Sequence, residues 1–269
     1  MSRGAREPVH GPLYWERLGR KGAPMVFLHP NPTDHQVWMY QMARFSTWFQ
    51  AIGIDLPGYG RSPTASAGLT MADIATACWS AVDATSHEPA ILVGCSVGYA
   101  TALHMAHLQP ERVSAMIFSG ASYRPVKASA PKRIAQYEAH GLNFRREHFS
   151  EVIGTEFRAS PLAEYFADIF LERNDTADLP TIIEMYRAVG APDEPWLFDT
   201  VRAPTLIITG SEDGAHLGAF ALRDRINGAR LVTLPGAGHA CQLEQPWAWD
   251  GYAMEFLREH GLLGPPGQP

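Results

Sequence analysis

The sequence predicts an α/β fold: a doubly wound, mostly parallel sheet with a helical cap inserted into it. Three observations predict it. Short apolar runs alternate with helical patterns along most of the 269 residues, the order that wraps helices onto both faces of a parallel sheet through right-handed crossovers. One run, Ala90-Ile91-Leu92-Val93, leads directly into Gly94-Cys95-Ser96-Val97-Gly98 and then into a small-residue helical pattern from Tyr99 to Ala106. The alternation breaks between about Tyr123 and Phe198, where only helical periodicity remains.

Taken in order, Leu13 to Leu18 reads as an edge strand closed by the turn Gly19-Arg20-Lys21-Gly22. Strands follow at Met25–Leu28 and Phe49–Ile54. Met71 to Asp83 carries a helix pattern, with Thr70 as N-cap and Asp73 three residues on. Further strands are predicted at Ile91, Ala115, Leu206 and Leu231, and Trp247 to His260 reads as a closing helix stopped by Gly261. Inside the broken stretch, Arg133–Glu138 and Leu162–Phe170 have helical spacing. Neither an internal repeat nor a low-complexity segment interrupts the pattern.

Strand, Gly-x-Ser-x-Gly, helix is the setting that turns Ser96 into an exposed nucleophile on a tight turn, with Gly94 and Gly98 leaving room and the Val97 N–H at a helix N-terminus. A serine hydroxyl needs a base, and the base an orienting acid. Both stand downstream at strand ends: Glu212 and Asp213 after Pro204–Thr209, and His239 after Leu231–Leu234 and the turn Pro235-Gly236-Ala237-Gly238. Asp213 is preferred to Glu212 as the acid. No acid lies in Ser119–Tyr123, after the preceding strand, and His216 is a reserve base without the glycine-rich approach of His239. Ligands gather at the carboxyl ends of such strands, where Ser96, Asp213, His239 and Asn31 all fall.

These motifs resemble the α/β-hydrolase fold family over nearly the whole chain. Met25-Val26-Phe27-Leu28-His29-Pro30-Asn31-Pro32 is similar to its strand followed by a His-Gly-x-Pro loop, and Ile54-Asp55-Leu56-Pro57-Gly58-Tyr59-Gly60-Arg61-Ser62 to its D-x-P-G-x-G-x-S turn. Pro235–His239 resembles its approach to the histidine. The resemblance implies a Ser96–His239–Asp213 triad, an oxyanion hole formed by the N–H groups of Asn31 and Val97, and no cofactor. It implies a core of residues 1–122 and 199–269 under a helical cap of 123–198. Pro30 departs from the pattern: proline stands where glycine is usual, cannot donate, and restricts His29. The Asn31 side chain reads either as added pocket polarity or as a turn residue between two prolines. Trp38, just past this loop, reads either as a substrate-binding wall or as core. The reaction implied is hydrolysis of a small to medium carboxylic ester or lactone; carbon–carbon bond hydrolysis and perhydrolysis use the same triad, and a low-turnover, receptor-like binding protein is the reading from another class. A serine at position 96 argues against haloalkane dehalogenation and epoxide hydrolysis.

Composition narrows the field. There are 28 acidic and 22 basic residues, for a net charge of −6, and no basic block; a small-molecule substrate is expected and nucleic acid is not. No apolar run reaches the length of about 20 residues that spans a membrane, and Met1–Pro8 lacks a signal-like apolar core. Three widely spaced cysteines, Cys78, Cys95 and Cys241, do not make a disulfide framework and fit a cytoplasmic setting. Cys95 reads as packing. His29, Asp34 and His35 lack metal-ligand spacing, so no metal is expected and His29 reads as a brace for its loop. The tail Gly264–Pro269 reads as a disordered end, and a homodimer through the cap or edge strand stays open.

Overall fold

A computed structural model describes residues 8–123, 129–172, 176–192 and 194–264. Residues 1–7 and the Pro/Gly tail beyond 264 lie outside the described residues. Seven strands form one sheet in the order β1-β3-β2-β4-β5-β6-β7. They are β1 (Trp15–Leu18), β2 (Pro24–Leu28), β3 (Gln50–Ile54), β4 (Ala90–Cys95), β5 (Val113–Ser119), β6 (Thr205–Gly210) and β7 (Arg230–Leu234). Strand β1 pairs antiparallel with β3, and every other pairing is parallel. The doubly wound, mostly parallel sheet expected from the alternation is therefore present.

Apolar side chains alternate between the two faces, as a period of two requires. Val26, Leu28, Leu92, Met116 and Phe118 pack with α2 (Met71–Asp83) and α3 (Val97–Leu108) beyond α1 (Met39–Phe45). Phe27, Val93, Ile117 and Ile208 pack on the opposite face, with residues of α1 and of the C-terminal helix Pro246–Glu259. The α2 N-terminus carries the capping box read from Thr70 and Asp73: the Thr70 hydroxyl accepts from the Asp73 N–H, and the Asp73 carboxylate accepts from the Thr70 N–H.

Between β5 and β6 the chain is helical: α4 (Ser129–His140), α5 (Phe144–Val152), α6 (Thr155–Arg158), α7 (Pro161–Glu172), α8 (Leu179–Gly190) and α9 (Pro195–Asp199). These helices extend both cores. Tyr137, Ile182 and Met185 of α4 and α8 join the α2–α3 side, whereas Phe149 and Phe166 of α5 and α7 join the other. Three helices complete the chain: α10 (His216–Arg225), α11 (Cys241–Glu244) and α12 (Pro246–Glu259). No helix among the described residues is long and apolar enough to cross a membrane.

Candidate active site

Ser96 sits between β4 and α3 at φ 54° and ψ −114°. Among the described non-glycine residues it alone has a positive φ, a conformation that costs on the order of 1–3 kcal/mol and persists only where the surroundings enforce it. The enforcement is backbone contact: a Cβ on Gly98 would strike the Leu28 carbonyl, and one on Gly94 would strike the Gly98 carbonyl. The turn thus aims the serine away from the sheet, and the next N–H, that of Val97, opens α3 without a partner inside the helix. Cys95, one residue earlier, points back into the opposite core; burial pushes its thiol well above the usual range, leaving it unreactive.

Asp213 follows β6 and is buried. One of its carboxylate oxygens accepts from the Ala215 N–H at 2.8 Å. Both oxygens lie 3.0 Å from His239 Nδ1, so the ring donates Nδ1–H to the acid. Glu212 turns elsewhere: its carboxylate accepts from the Thr155 N–H at 2.7 Å, a bond that holds it below the usual range. His216 opens α10 and packs edge-on against Phe220. Ser96, Asp213, His239 and Asn31 line one cavity of about 340 Å³, at the carboxyl ends of the strands.

The loop after β2 is fixed by its proline. The Pro30 carbonyl accepts from the Thr33 N–H at 3.1 Å, the Thr33 hydroxyl at 2.8 Å and His29 Nδ1 at 3.0 Å. His29 Nε2 accepts from the Leu56 N–H at 2.9 Å, so this buried ring ties the loop to the turn after β3. Burial holds it neutral, below the ordinary histidine range, against the pull of Asp55. The Asn31 side chain is also engaged: its Oδ1 accepts from the Tyr59 hydroxyl.

Trp38 is not a wall of the cavity. It is fully buried on the opposite face, against Phe27 and Trp249 with ring centroids at 5.6 and 5.7 Å. The helical turn His35–Trp38 and α1 carry it under the sheet, so of its two readings core is the one observed. Asp34, His35 and Asp55 do converge, with donor atoms within 4.8 Å of one another. Both His35 ring nitrogens are taken, however, Nδ1 by Asp55 at 2.6 Å and Nε2 by Glu16 at 2.8 Å. Burial works against charge on this pair, yet their mutual attraction holds His35 above and Asp55 below their ordinary ranges. The cluster is an ion-pair brace under the loop.

Two residues at or beside the cavity, Glu244 and His148, escaped the sequence reading, and Tyr186 was named there only among the cap aromatics. Glu244, in α11, accepts from the N–H groups of Gly238 and Gly154 at 2.9 and 2.8 Å. Burial raises its carboxyl above the usual range, opposed by those two donors. His148 (α5) and Tyr186 (α8) line the cavity facing the triad, and His148 is held well below the ordinary histidine range by burial and by Arg133, His239 and Arg145. No local pattern marks these positions; they meet only when helices pack. At the same seam the His239 N–H donates to the Val152 carbonyl at 2.7 Å.

The family model for the alpha/beta hydrolase fold matches residues 23–246. A pimeloyl-[acyl-carrier protein] methyl ester esterase of Pectobacterium carotovorum is 36% identical over 261 residues, covering 91% of this chain and 98% of the relative. Among solved structures, an esterase from Exiguobacterium antarcticum superposes with a TM-score of 0.82 at 22% identity, covering 94% of this chain and 98% of the other. An N-acyl homoserine lactone degrading enzyme superposes at 0.79 and 22% identity, covering 93% and 99%. The chain is a hydrolase and belongs to the alpha/beta hydrolase fold family.

Proposed function

We propose that the protein hydrolyses a small to medium carboxylic ester or lactone through an acyl-enzyme. One observation carries the reading: His239 Nδ1 stands 3.0 Å from both oxygens of a buried Asp213, on the same cavity as a serine held at positive φ. Donation of Nδ1–H to Asp213 leaves Nε2 as the basic nitrogen. His239 takes the Ser96 proton as the serine oxygen attacks the carbonyl carbon. The N–H groups of Asn31 and Val97 hold the resulting oxyanion. Collapse expels the alcohol, which leaves with the proton from His239; a water molecule, deprotonated by His239, then releases the acid. The esterase relative and the lactone-degrading neighbour support this choice of substrate class. Residues 123–198 serve as the cap that keeps bulk water from the acyl-enzyme.

An ester panel of increasing acyl length, run beside intact mass after phenylmethylsulfonyl fluoride, tests the reading. Wild type is expected to hydrolyse esters and gain a single adduct, and Ser96→Ala to do neither. Ester turnover that survives in Ser96→Ala would remove this serine from the mechanism.

A further inference from the structure

The cavity has a second imidazole. His148 is 6% exposed and lines the cavity across from the triad. Its Nδ1 is approached by two phenols, the Tyr137 hydroxyl at 3.1 Å and the Tyr186 hydroxyl at 3.4 Å. Among the described residues its Nε2 has no hydrogen-bond partner, and the ring lines the cavity.

The network behind Nδ1 has a direction. The Tyr137 and Tyr186 rings pack with centroids 5.6 Å apart, and both hydroxyls face His148 Nδ1. Burial keeps the Tyr137 and Tyr186 phenols protonated, so each presents an O–H to His148 Nδ1, which accepts. A neutral imidazole that accepts at Nδ1 carries its hydrogen on Nε2. The free, cavity-facing nitrogen is therefore a donor.

We propose that His148 is a specificity-determining residue: its Nε2–H donates to a neutral oxygen acceptor carried by the substrate beyond the scissile carbonyl, selecting alkoxy- or oxo-substituted esters over plain alkyl ones. Neutrality follows from the rest of the wall. Arg133 lines the cavity but is paired with Glu151 at 2.6 Å, and Arg145, whose charge also reaches His148, is engaged with the Pro32 carbonyl; with Glu151, Glu212 and Asp213 all in the described lining, acidic groups outnumber basic ones there and disfavour a carboxylate. A polar group built to meet a substrate oxygen discriminates strongly, because the analogue without that oxygen leaves the donor buried and unpaired.

This inference rests on the ester-hydrolase reading, and its test separates the two. The substrates are alkyl esters in which an ether oxygen replaces one methylene at successive positions of the acyl or alcohol chain, each paired with its all-carbon counterpart and corrected for its alkaline hydrolysis rate. A counterpart ending in a carboxylate completes the set. In wild type, kcat/KM is expected to favour one ether position by about ten- to a hundredfold, with the carboxylate ester poorest. The preference ratio should fall to near one in His148→Leu and survive within a few-fold in His148→Gln, whose amide can donate from the same place. Labelling of Ser96 by phenylmethylsulfonyl fluoride is followed by mass in each variant. A wild-type ratio near one at every position, with Ser96 still labelled, overturns the role of His148 and leaves the hydrolase standing. A ratio unchanged in His148→Leu overturns it equally. Wild type that neither labels nor turns over any ester overturns both. Should His148→Leu fail to fold, the wild-type ratio and His148→Gln decide the matter.

Discussion

The carboxyl end of the sheet and the helical stretch above it build opposite walls of one cavity by different means. In the sheet, position follows from short-range rules: a strand ends, a glycine-bounded turn follows, and Ser96, Asp213 or His239 comes out at the top. In the helices, position follows from packing between segments far apart in sequence, as when Tyr186 reaches His148 across 38 residues. On the proposed function, the first wall carries the groups that move protons and the second the groups that meet the substrate. The contrast teaches that the serine, acid and histidine of the sheet wall are placed by local rules, whereas His148 and Tyr186 are placed by tertiary contacts.

The comparison is broken most severely at the sheet. Ser96→Ala is expected to lower ester turnover by about a million-fold with folding retained, measured as kcat beside the far-ultraviolet spectrum. Next comes Asp213→Asn, which keeps the shape but withdraws the charge that fixes the His239 tautomer; kcat should fall by about ten-thousandfold with little change in Tm. Equal losses from Glu212→Gln would reassign the acid. The seam between the walls is tested by Gly238→Ala. The added Cβ would lie 2.5 Å from the Gly154 nitrogen and 2.6 Å from the Ile153 carbonyl carbon, backbone that cannot swing aside. A loss of about 3 kcal/mol in stability, together with about a hundredfold in kcat through misplacement of His239, should appear in denaturant melts and steady-state rates.

The smallest effect on catalysis belongs to a site outside both walls. Asp250 in α12 is buried, accepts from Gln41 at 3.0 Å, and is pushed up to about 6 by burial. Its folded value lies above its unfolded one, so the native state holds the proton more tightly. Stability from this group is fully present below about pH 4 and is lost as pH rises through about 6, above which the cost is constant. Asp250→Asn should therefore raise stability by about 2 kcal/mol at pH 7 and by little at pH 4, with ester turnover unchanged. An equal gain at both pH values would assign the effect to a new bond with Gln41 Oε1, which lacks a partner.

The central strands β2, β4, β5 and β6 were legible in the sequence because buried parallel strands are short apolar runs, and their ends are punctuated by glycine and proline. The capping box at Thr70 and Asp73 was equally legible, since its donors and acceptors lie three residues apart. Trp38 was ambiguous for a physical reason: a large aromatic residue after a polar loop suits either a pocket or a core, and only the path of α1 beneath the sheet decides it. Glu244 was invisible because its role depends on two glycine N–H groups, one of them 90 residues away. His148 gave no signal in α5, where polar and aromatic residues alternate on an ordinary amphipathic helix.

The bonds that close the seam have a mechanical consequence. The His239 backbone hangs from the last residue of α5 through Val152, and Glu244 clips Gly154 to Gly238 a residue away. The base and this edge of the roof therefore travel as one body. Lifting that edge would carry the imidazole with it, so the placement of α5 and the placement of His239 are mechanically coupled.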